Sequence, residues 1–405
     1  MLNIGLFGHG IVGGGVANIL LNNKDILSLR AGQEIHLKAI CDLREFDVPY
    51  KNLFTKNGED IYCDPSISIV VEAIGGKGIA YKFVKESLLH GKNVVTSNKE
   101  LIASCGTELE QIAKEKGVLL RYEASCGGGI PVIKPIREDL GANRMDKVLG
   151  IVNGTTNYIL TRMKESALTF DEAIEEARGK GYIEADPSAD LKGIDARRKI
   201  CILAHTAFGT PLDDSAIEAI GIESITMEDL SYAARLNRSV RLIAMAEWLD
   251  GSYRASVCPM LVNDSHPLAP VSDVFNAILV HGDQVGNVMF YGSGAGAAPT
   301  ASAVCGDILD IARDPFEHGG KLDNSAAHAL PSFTRDIALF FRVTGGKAEQ
   351  EAVLASIPAA QFVTLDTLPG EFGVITPIGK ENELLSAVES LKKTLSVREP
   401  LRLLD

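Results

Sequence analysis

Four stretches of the chain set reactive or ligand-binding residue types at spacings that chemistry can use. G-H-G-I-V-G at 8–13 lies between the apolar run L-N-I-G-L-F and the helical pattern V-A-N-I-L-L. Gly8, Gly10 and Gly13, with Ile11 and Val12 between them, permit a tight turn in which a pyrophosphate approaches the amino end of a helix. In this strand-turn-helix setting that reading is favoured over a plain glycine turn. The run E-I-H-L-K-A-I-C-D ends at Asp42, and Arg44 follows. The aspartate can accept from a ribose hydroxyl and the arginine can face a 2′-phosphate, so both NAD and NADP remain open. E-A-S-C-G-G-G-I-P at 123–131 presses Cys126 against three glycines. It is either a thiol nucleophile, which aldehyde oxidation through a thioester requires, or one residue of a backbone turn. In G-Y-I-E-A-D-P-S-A-D-L-K-G-I-D-A-R-R-K, 181–199, Asp195 and Lys199 fall on one helix face. The plain reading is a surface ion pair. Their place at the start of the apolar helix I-C-I-L-A-H, with Glu184, Asp186 and Asp190 upstream, points instead to a partly buried site for a substrate bearing an ammonium group. The run lacks the spacing of a calcium loop, and no histidine pair supports zinc.

The elements that must position these residues follow from pattern. S-I-V-V-E-A-I-G-G (68–76), K-N-V-V-T-S-N-K (92–99) and V-L-L-R-Y-E-A-S (118–125) alternate with helical segments, which predicts a doubly wound parallel sheet of the Rossmann type. Ligands of such a sheet lie beyond the carboxyl ends of its strands, which assigns Gly75, Gly76, Ser97, Lys99 and Glu123 to the crevice. From about residue 130 the alternation changes, and V-L-G-I-V-N-G-T-T-N-Y-I-L at 148–160 reads as a short strand, an Asn-Gly turn and a threonine-capped helix. The expected organisation is a dinucleotide-binding domain over 1–128 with a helical return at about 305–330, an α+β substrate and dimerisation domain over 129–304, and a third domain over 331–405.

The 405 residues and ordinary apolar fraction suit two or three well-buried domains. A formal charge of −13 without basic clusters argues against nucleic acid or an anionic membrane as partner and favours a small metabolite. Seven cysteines without C-x-x-C pairs make a poor disulfide framework, so a reducing cytoplasm is expected. The opening M-L-N-I-G-L-F-G reads as a strand rather than a targeting segment, and no apolar run reaches membrane-spanning length.

Taken with V-V-E-A-I-G-G, G-K-N-V-V-T-S-N-K, G-I-V-N-G-T-T-N-Y-I-L and V-M-F-Y-G-S-G-A-G-A-A-P-T-A-S-A-V, these stretches resemble the homoserine dehydrogenase family over nearly the whole chain. The resemblance implies reversible, NAD- or NADP-dependent interconversion of homoserine and aspartate 4-semialdehyde, on the route to threonine and methionine. By position it implies Lys199 as general acid/base, Lys99 as a second lysine at the reacting centre and Asp195 as an orienting group. Glu184 is implied as a substrate contact, with Gly154, Thr155, Thr156, Tyr182 and Asp190 bordering it, and Gly181 and Gly296 as backbone contacts to the cofactor. Glu123, Cys126, Gly128 and Ile130 match a site for a structural monovalent cation, Na⁺ or K⁺, held chiefly by main-chain carbonyls. The thiol of Cys126 is then incidental, and a thioester-forming semialdehyde dehydrogenase and a non-catalytic dinucleotide-binding sensor are the alternatives. Residues 331–405 resemble an ACT-like, ferredoxin-like domain. There Thr344, Gly345 and Gly346 stand where the family has an acidic residue and proline-glycine, so weak or absent inhibition by threonine is expected. A homodimer or homotetramer is implied.

Overall fold

The computed structural model describes residues 1–183, 186–314 and 327–405. The chain divides into two compact units, one made of 1–148, 198–214 and 278–327, the other of 149–197, 215–277 and 328–405.

The first unit is built on six parallel strands: β1 (Leu2–Phe7), β2 (Ile35–Cys41), β3 (Phe54–Thr55), β4 (Ile67–Glu72), β5 (Asn93–Thr96) and β6 (Leu120–Arg121). Their order is β3-β2-β1-β4-β5-β6, that of a doubly wound dinucleotide fold whose strand direction of travel reverses beside β1. β1 and β4 are largely apolar because helices cover both faces, whereas β2 carries an exposed His36 and a Lys38 paired with Asp64. Ile4, Leu6, Ile40, Ile69 and Val71 form the core with Val16 and Leu20 of helix α1 (Ile11–Asn22). The last strand is shorter than 118–125 suggests. After Arg121 the chain turns into a 3-10 segment, Glu123–Ser125, because Glu123 is drawn inward by main-chain donors described below. The returning helix also differs from expectation. It spans Ala297–Arg313, starting at Gly296 (φ 114°), and lies so close to α1 that a Cβ on Gly15 would come within 2.9 Å of the Ala301 methyl group. The expected stretch 315–326 lies outside the described residues.

The second unit is antiparallel at its centre: strands Arg238–Leu249 and Ser252–Asn263 form a long hairpin with Asp250 and Gly251 at its tip, both at positive φ. Residues 339–404 follow as strand, helix, strand, strand, helix, strand, with two further two-residue strands, Gly379–Lys380 before the second helix and Ser396–Val397 after it. Leu339–Thr344 is the first strand, Gln361–Val363 the second, Glu371–Ile375 the third and Leu401–Leu404 the fourth, in the order 4-1-3-2. The fourth strand also pairs in parallel with Met260–Val262 of the hairpin. Arg335 reinforces the junction, donating to Glu247 at 2.7 Å and to Ser256 at 2.8 Å. The carboxyl-terminal segment therefore falls in one compact unit with the middle of the chain, where the sequence pattern divides them at about 331. Hydropathy marks strands but not which strand a distant edge will choose.

Candidate active site

In the first unit the strand ends deliver their groups to one edge of the sheet. Gly8 follows β1 with φ 88°, and a Cβ there would lie 2.7 Å from the Ala73 carbonyl oxygen. A Cβ on Gly13 would lie 2.0 Å from the Gly8 carbonyl oxygen, so this turn admits no side chain at either position. α1 starts at Gly10 without a side-chain cap, so no capping side chain takes up its first N–H groups. Ile11 is exposed at the tip and Val12 half-buried behind it.

Asp42, just past β2, is buried and fully engaged. One carboxylate oxygen accepts the His9 backbone N–H at 2.7 Å and the Arg44 Nη2 at 2.8 Å. The other accepts the Arg44 backbone N–H and Nε at 2.9 and 3.0 Å. The Arg44 guanidinium, helped by the backbone donors, holds the Asp42 carboxyl well below the usual carboxylate range despite its burial. Arg44 itself is 63% exposed, lies 5.2 Å over the Phe46 ring, and reaches to within 3.6 Å of where a Cβ on Gly10 would stand. Lys56 donates to the carbonyls of Leu43 and Arg44, bracing the same loop.

Glu72 repeats the device at the end of β4, accepting from the backbone N–H groups of Ile74 (2.7 Å) and Gly75 (3.0 Å) and from the Thr96 hydroxyl (2.6 Å). Beyond β5, past half-buried Ser97, Asn98 caps the helix Lys99–Lys116 by accepting the Leu101 N–H, and its amide donates to Gly76 O. Lys99 is the first residue of that helix. Sequence reasoning found Gly75, Ser97 and Lys99 but passed over Glu72 and Asn98, which fix their backbone. N-x-x-L at 98–101, a cap residue before an apolar helix, is the signal that could have found the second.

Glu123 accepts three main-chain N–H groups, from Val132 (2.5 Å), Ile133 (2.8 Å) and Lys134 (2.7 Å). Its own N–H donates to Asp307 at 2.9 Å. Burial first, and then the neighbouring Glu123 carboxylate, push Asp307 up to about 8. Gly127 and Gly128 both have positive φ, and a Cβ on Gly128 would sit 2.6 Å from Gly294 C. Cys126 is fully buried, its thiol donating to the Lys199 carbonyl oxygen at 3.6 Å, and Ile130 is buried beside it.

The charge-rich segment is ordered by a residue the sequence reading missed. Asn153, not a threonine, caps the helix Gly154–Ser166, its side-chain oxygen accepting the Thr156 N–H at 2.9 Å. Its amide donates to Asp190 at 2.7 Å and to Asp195 at 2.8 Å, so one asparagine gathers both acids. Thr156 is buried and turned back onto Asn153, whereas Thr155 is partly exposed and donates to the Tyr182 carbonyl at 3.1 Å. Tyr182 stands edge-on to Tyr158 with ring centroids 5.0 Å apart. Gly181 takes φ 73°, ending the helix Phe170–Gly179, and Gly296 takes φ 114°. Asp195 and Lys199 both lie on the helix Ile194–Phe208 and are 3% and 7% exposed, so the surface ion-pair reading fails. Glu184 lies outside the described residues.

Comparison with known proteins agrees with these features. A family model described as homoserine dehydrogenase matches residues 131–309, and one described as its NAD-binding domain matches 8–123. The chain is 37% identical over 393 residues to the homoserine dehydrogenase of Neisseria gonorrhoeae, covering 96% of this chain and 87% of the relative. It is 42% identical over 315 residues to that of Pseudomonas aeruginosa, 77% of this chain and 72% of the relative. A homoserine dehydrogenase crystal structure from Thiobacillus denitrificans superposes with TM-score 0.93 at 33% identity, covering 100% of this chain and 98% of that one. A hyperthermophilic archaeal homoserine dehydrogenase in complex with NADPH superposes with TM-score 0.65 at 30% identity, covering 76% of this chain and 97% of that one.

Proposed function

Because the chain belongs to the homoserine dehydrogenase family and carries its activity, we propose a division of labour among its residues. The nicotinamide, when bound, supplies or accepts the hydride. Lys199 takes the hydroxyl proton of homoserine as the hydride leaves and returns one to the aldehyde oxygen in the reverse direction. Lys99 is the second cation at the reacting centre. Asp195, with Asp190 and Glu184, recognises the substrate ammonium, and Gly154, Thr155, Thr156 and Tyr182 line its approach. The observation that carries this is a buried lysine on the same helix as a buried aspartate that Asn153 already orients. The relatives found are homoserine dehydrogenases, which leaves the thioester and sensor readings without support.

Gly8, Gly10, Ile11, Val12, Gly13, Gly75, Ser97, Gly181 and Gly296 are read as cofactor contacts, and NADP is favoured over NAD. Asp42 is already satisfied by Arg44, whose exposed guanidinium can meet a 2′-phosphate. The monovalent cation fits main-chain oxygens of Glu123, Cys126, Gly128 and Ile130, since the Glu123 carboxylate is occupied by three N–H donors. The strand-helix-strand-strand-helix-strand order of 339–404 supports an ACT-like module. Its first turn is closed internally, for Glu349 accepts the Gly346 N–H that an effector carboxylate would need, which fits weak threonine inhibition. Half-exposed Met289 and Tyr291 on the strand Gly286–Ser293 offer apolar surface for a second copy, in a homodimer or homotetramer. Seven cysteines joined by no disulfide fit a cytoplasmic enzyme, and among the described residues no helix is long and apolar enough to cross a membrane.

Lys199→Met is the test. Turnover should fall by at least about 10²-fold, while NADPH titration by fluorescence stays unchanged. Retention of a tenth of the rate or more removes Lys199 from the proton step.

A further inference from the structure

The helix that begins at Lys99 and the helix that carries Lys199 are joined by two ion pairs. Glu100, next to Lys99, accepts from Arg198, next to Lys199, at 3.1 Å, with side chains 32% and 25% exposed. Farther along, Glu110 meets His205 at 3.0 Å. The His205 Nδ1 lies 3.0 Å from the Thr210 carbonyl, which can only accept, and its Nε2 faces a carboxylate. Both ring nitrogens therefore carry hydrogen when Glu110 is ionised, and the imidazole is a cation. The Tyr122 hydroxyl donates to the other Glu110 oxygen at 2.7 Å and accepts from Arg137 at 2.9 Å, locking this far end. The pairs run early residue to early and late to late, over about 15 Å of one helix and about 10 Å of the other at 1.5 Å per residue.

We propose that Glu100 and Arg198 are positioning residues for the hydride-transfer reaction: their ion pair sets the separation of the two lysines. The inference rests on the reading of Lys199 and Lys99 as the groups at the reacting centre. The Glu110–His205 pair fixes the far end of the two helices, and Glu100–Arg198 fixes the end beside the chemistry. A long arginine reaching a short-range partner one residue from each lysine leaves little slack, and small displacements of a proton-transfer group are costly to rate.

The experiment compares Glu100→Gln, Arg198→Met, Arg198→Lys and the double variant Glu100→Gln/Arg198→Met in the full-length enzyme, with Lys199→Met alongside. The expected result is a fall in kcat of about tenfold in each of Glu100→Gln and Arg198→Met. KM for homoserine, the Kd for NADPH and the melting temperature should stay close to the parent's. The primary deuterium isotope effect with 4-deuterated NADPH should rise, because the chemical step has slowed, an effect that loss of folded protein does not produce. Arg198→Lys should recover part of the rate, and the double variant should be no slower than the worse single one, as for groups acting as a unit. If kcat and the isotope effect stay within about twofold of the parent while Lys199→Met is dead, the positioning role is wrong and the lysine reading stands. If Lys199→Met turns over normally, both fall. If the variants lose melting temperature and activity together with an unchanged isotope effect, the pair is only a stabilising contact and the proposal is overturned.

Discussion

The two glycine-rich turns of the first unit, 8–13 and 126–129, are made the same way and end differently. In each, glycines take backbone conformations that a side chain would forbid, and a nearby carboxylate gathers main-chain N–H groups. At the first turn the carboxylate is Asp42, and its partner Arg44 stays 63% exposed beside an uncapped helix start. At the second the carboxylate is Glu123, its three donors are backbone, and Cys126 is sealed inside. The first turn leaves a charged group in solvent; at the second the carboxylate is consumed by backbone donors, and only main-chain oxygens are left to meet a ligand. A cysteine among glycines is therefore not by itself evidence of a nucleophile, since here the thiol is buried and donates to a backbone carbonyl.

Glu123→Ala should sharpen this contrast most. It leaves three main-chain N–H groups without their acceptor, and the expected loss is at least about 3 kcal/mol of stability in denaturant unfolding. A loss near zero would mean that water or another group takes over those donors and that the second turn is not held as described.

At the first turn, Arg44→Ala should lower kcat/KM with NADPH about tenfold. It should leave NADH use equal or better, because Asp42 is released to accept from a ribose hydroxyl. An unchanged ratio of the two cofactors would contradict the role given to the exposed guanidinium.

Much of this was legible in sequence and some was not. The strand-turn-helix context of 8–13 exposed the first turn, because glycine spacing and flanking hydrophobicity are local signals. The second turn needed Val132, Ile133 and Lys134 to fold back on Glu123, a contact between segments that no local pattern announces. Asn153 was missed for the same reason: its cap role was readable from N-x-x-T, but its grip on Asp190 and Asp195 depends on tertiary packing. The carboxyl-terminal strands were visible, while the pairing of Leu401–Leu404 with Met260–Val262 was not, since register between distant strands is set by the assembled core.

A smaller effect is expected at the Glu110–His205 pair, which joins the helices Lys99–Lys116 and Ile194–Phe208. Burial pulls His205 down, but its hydrogen bond to Glu110 outweighs that and raises it above its ordinary 6.5, while Glu110 lies below its ordinary 4.5 despite burial. The pair's contribution is then fully present between about pH 4.5 and 6.5. It fades as pH rises through the raised His205 value or falls through the lowered Glu110 value. The gap in melting temperature between the parent and His205→Gln should be widest near pH 6 and narrow as pH rises through the raised His205 value. A gap that widens with pH would reverse the sign.

Cys126→Val should change least: turnover within a few-fold of the parent and the fold intact, since an apolar side chain of similar size replaces a fully buried thiol. Loss of turnover in folded protein would make the thiol chemical after all.

The most direct test of the central claim, hydride transfer between alcohol and aldehyde without a covalent thioester, is the direction of the cofactor signal when the purified enzyme meets aspartate 4-semialdehyde. With NADPH present, absorbance at the reduced-nicotinamide band should fall, one cofactor consumed per homoserine formed. With NADP⁺ and phosphate in its place, nothing should happen. Formation of NADPH from the semialdehyde, with an acyl group trapped on Cys126, is the result that would contradict it.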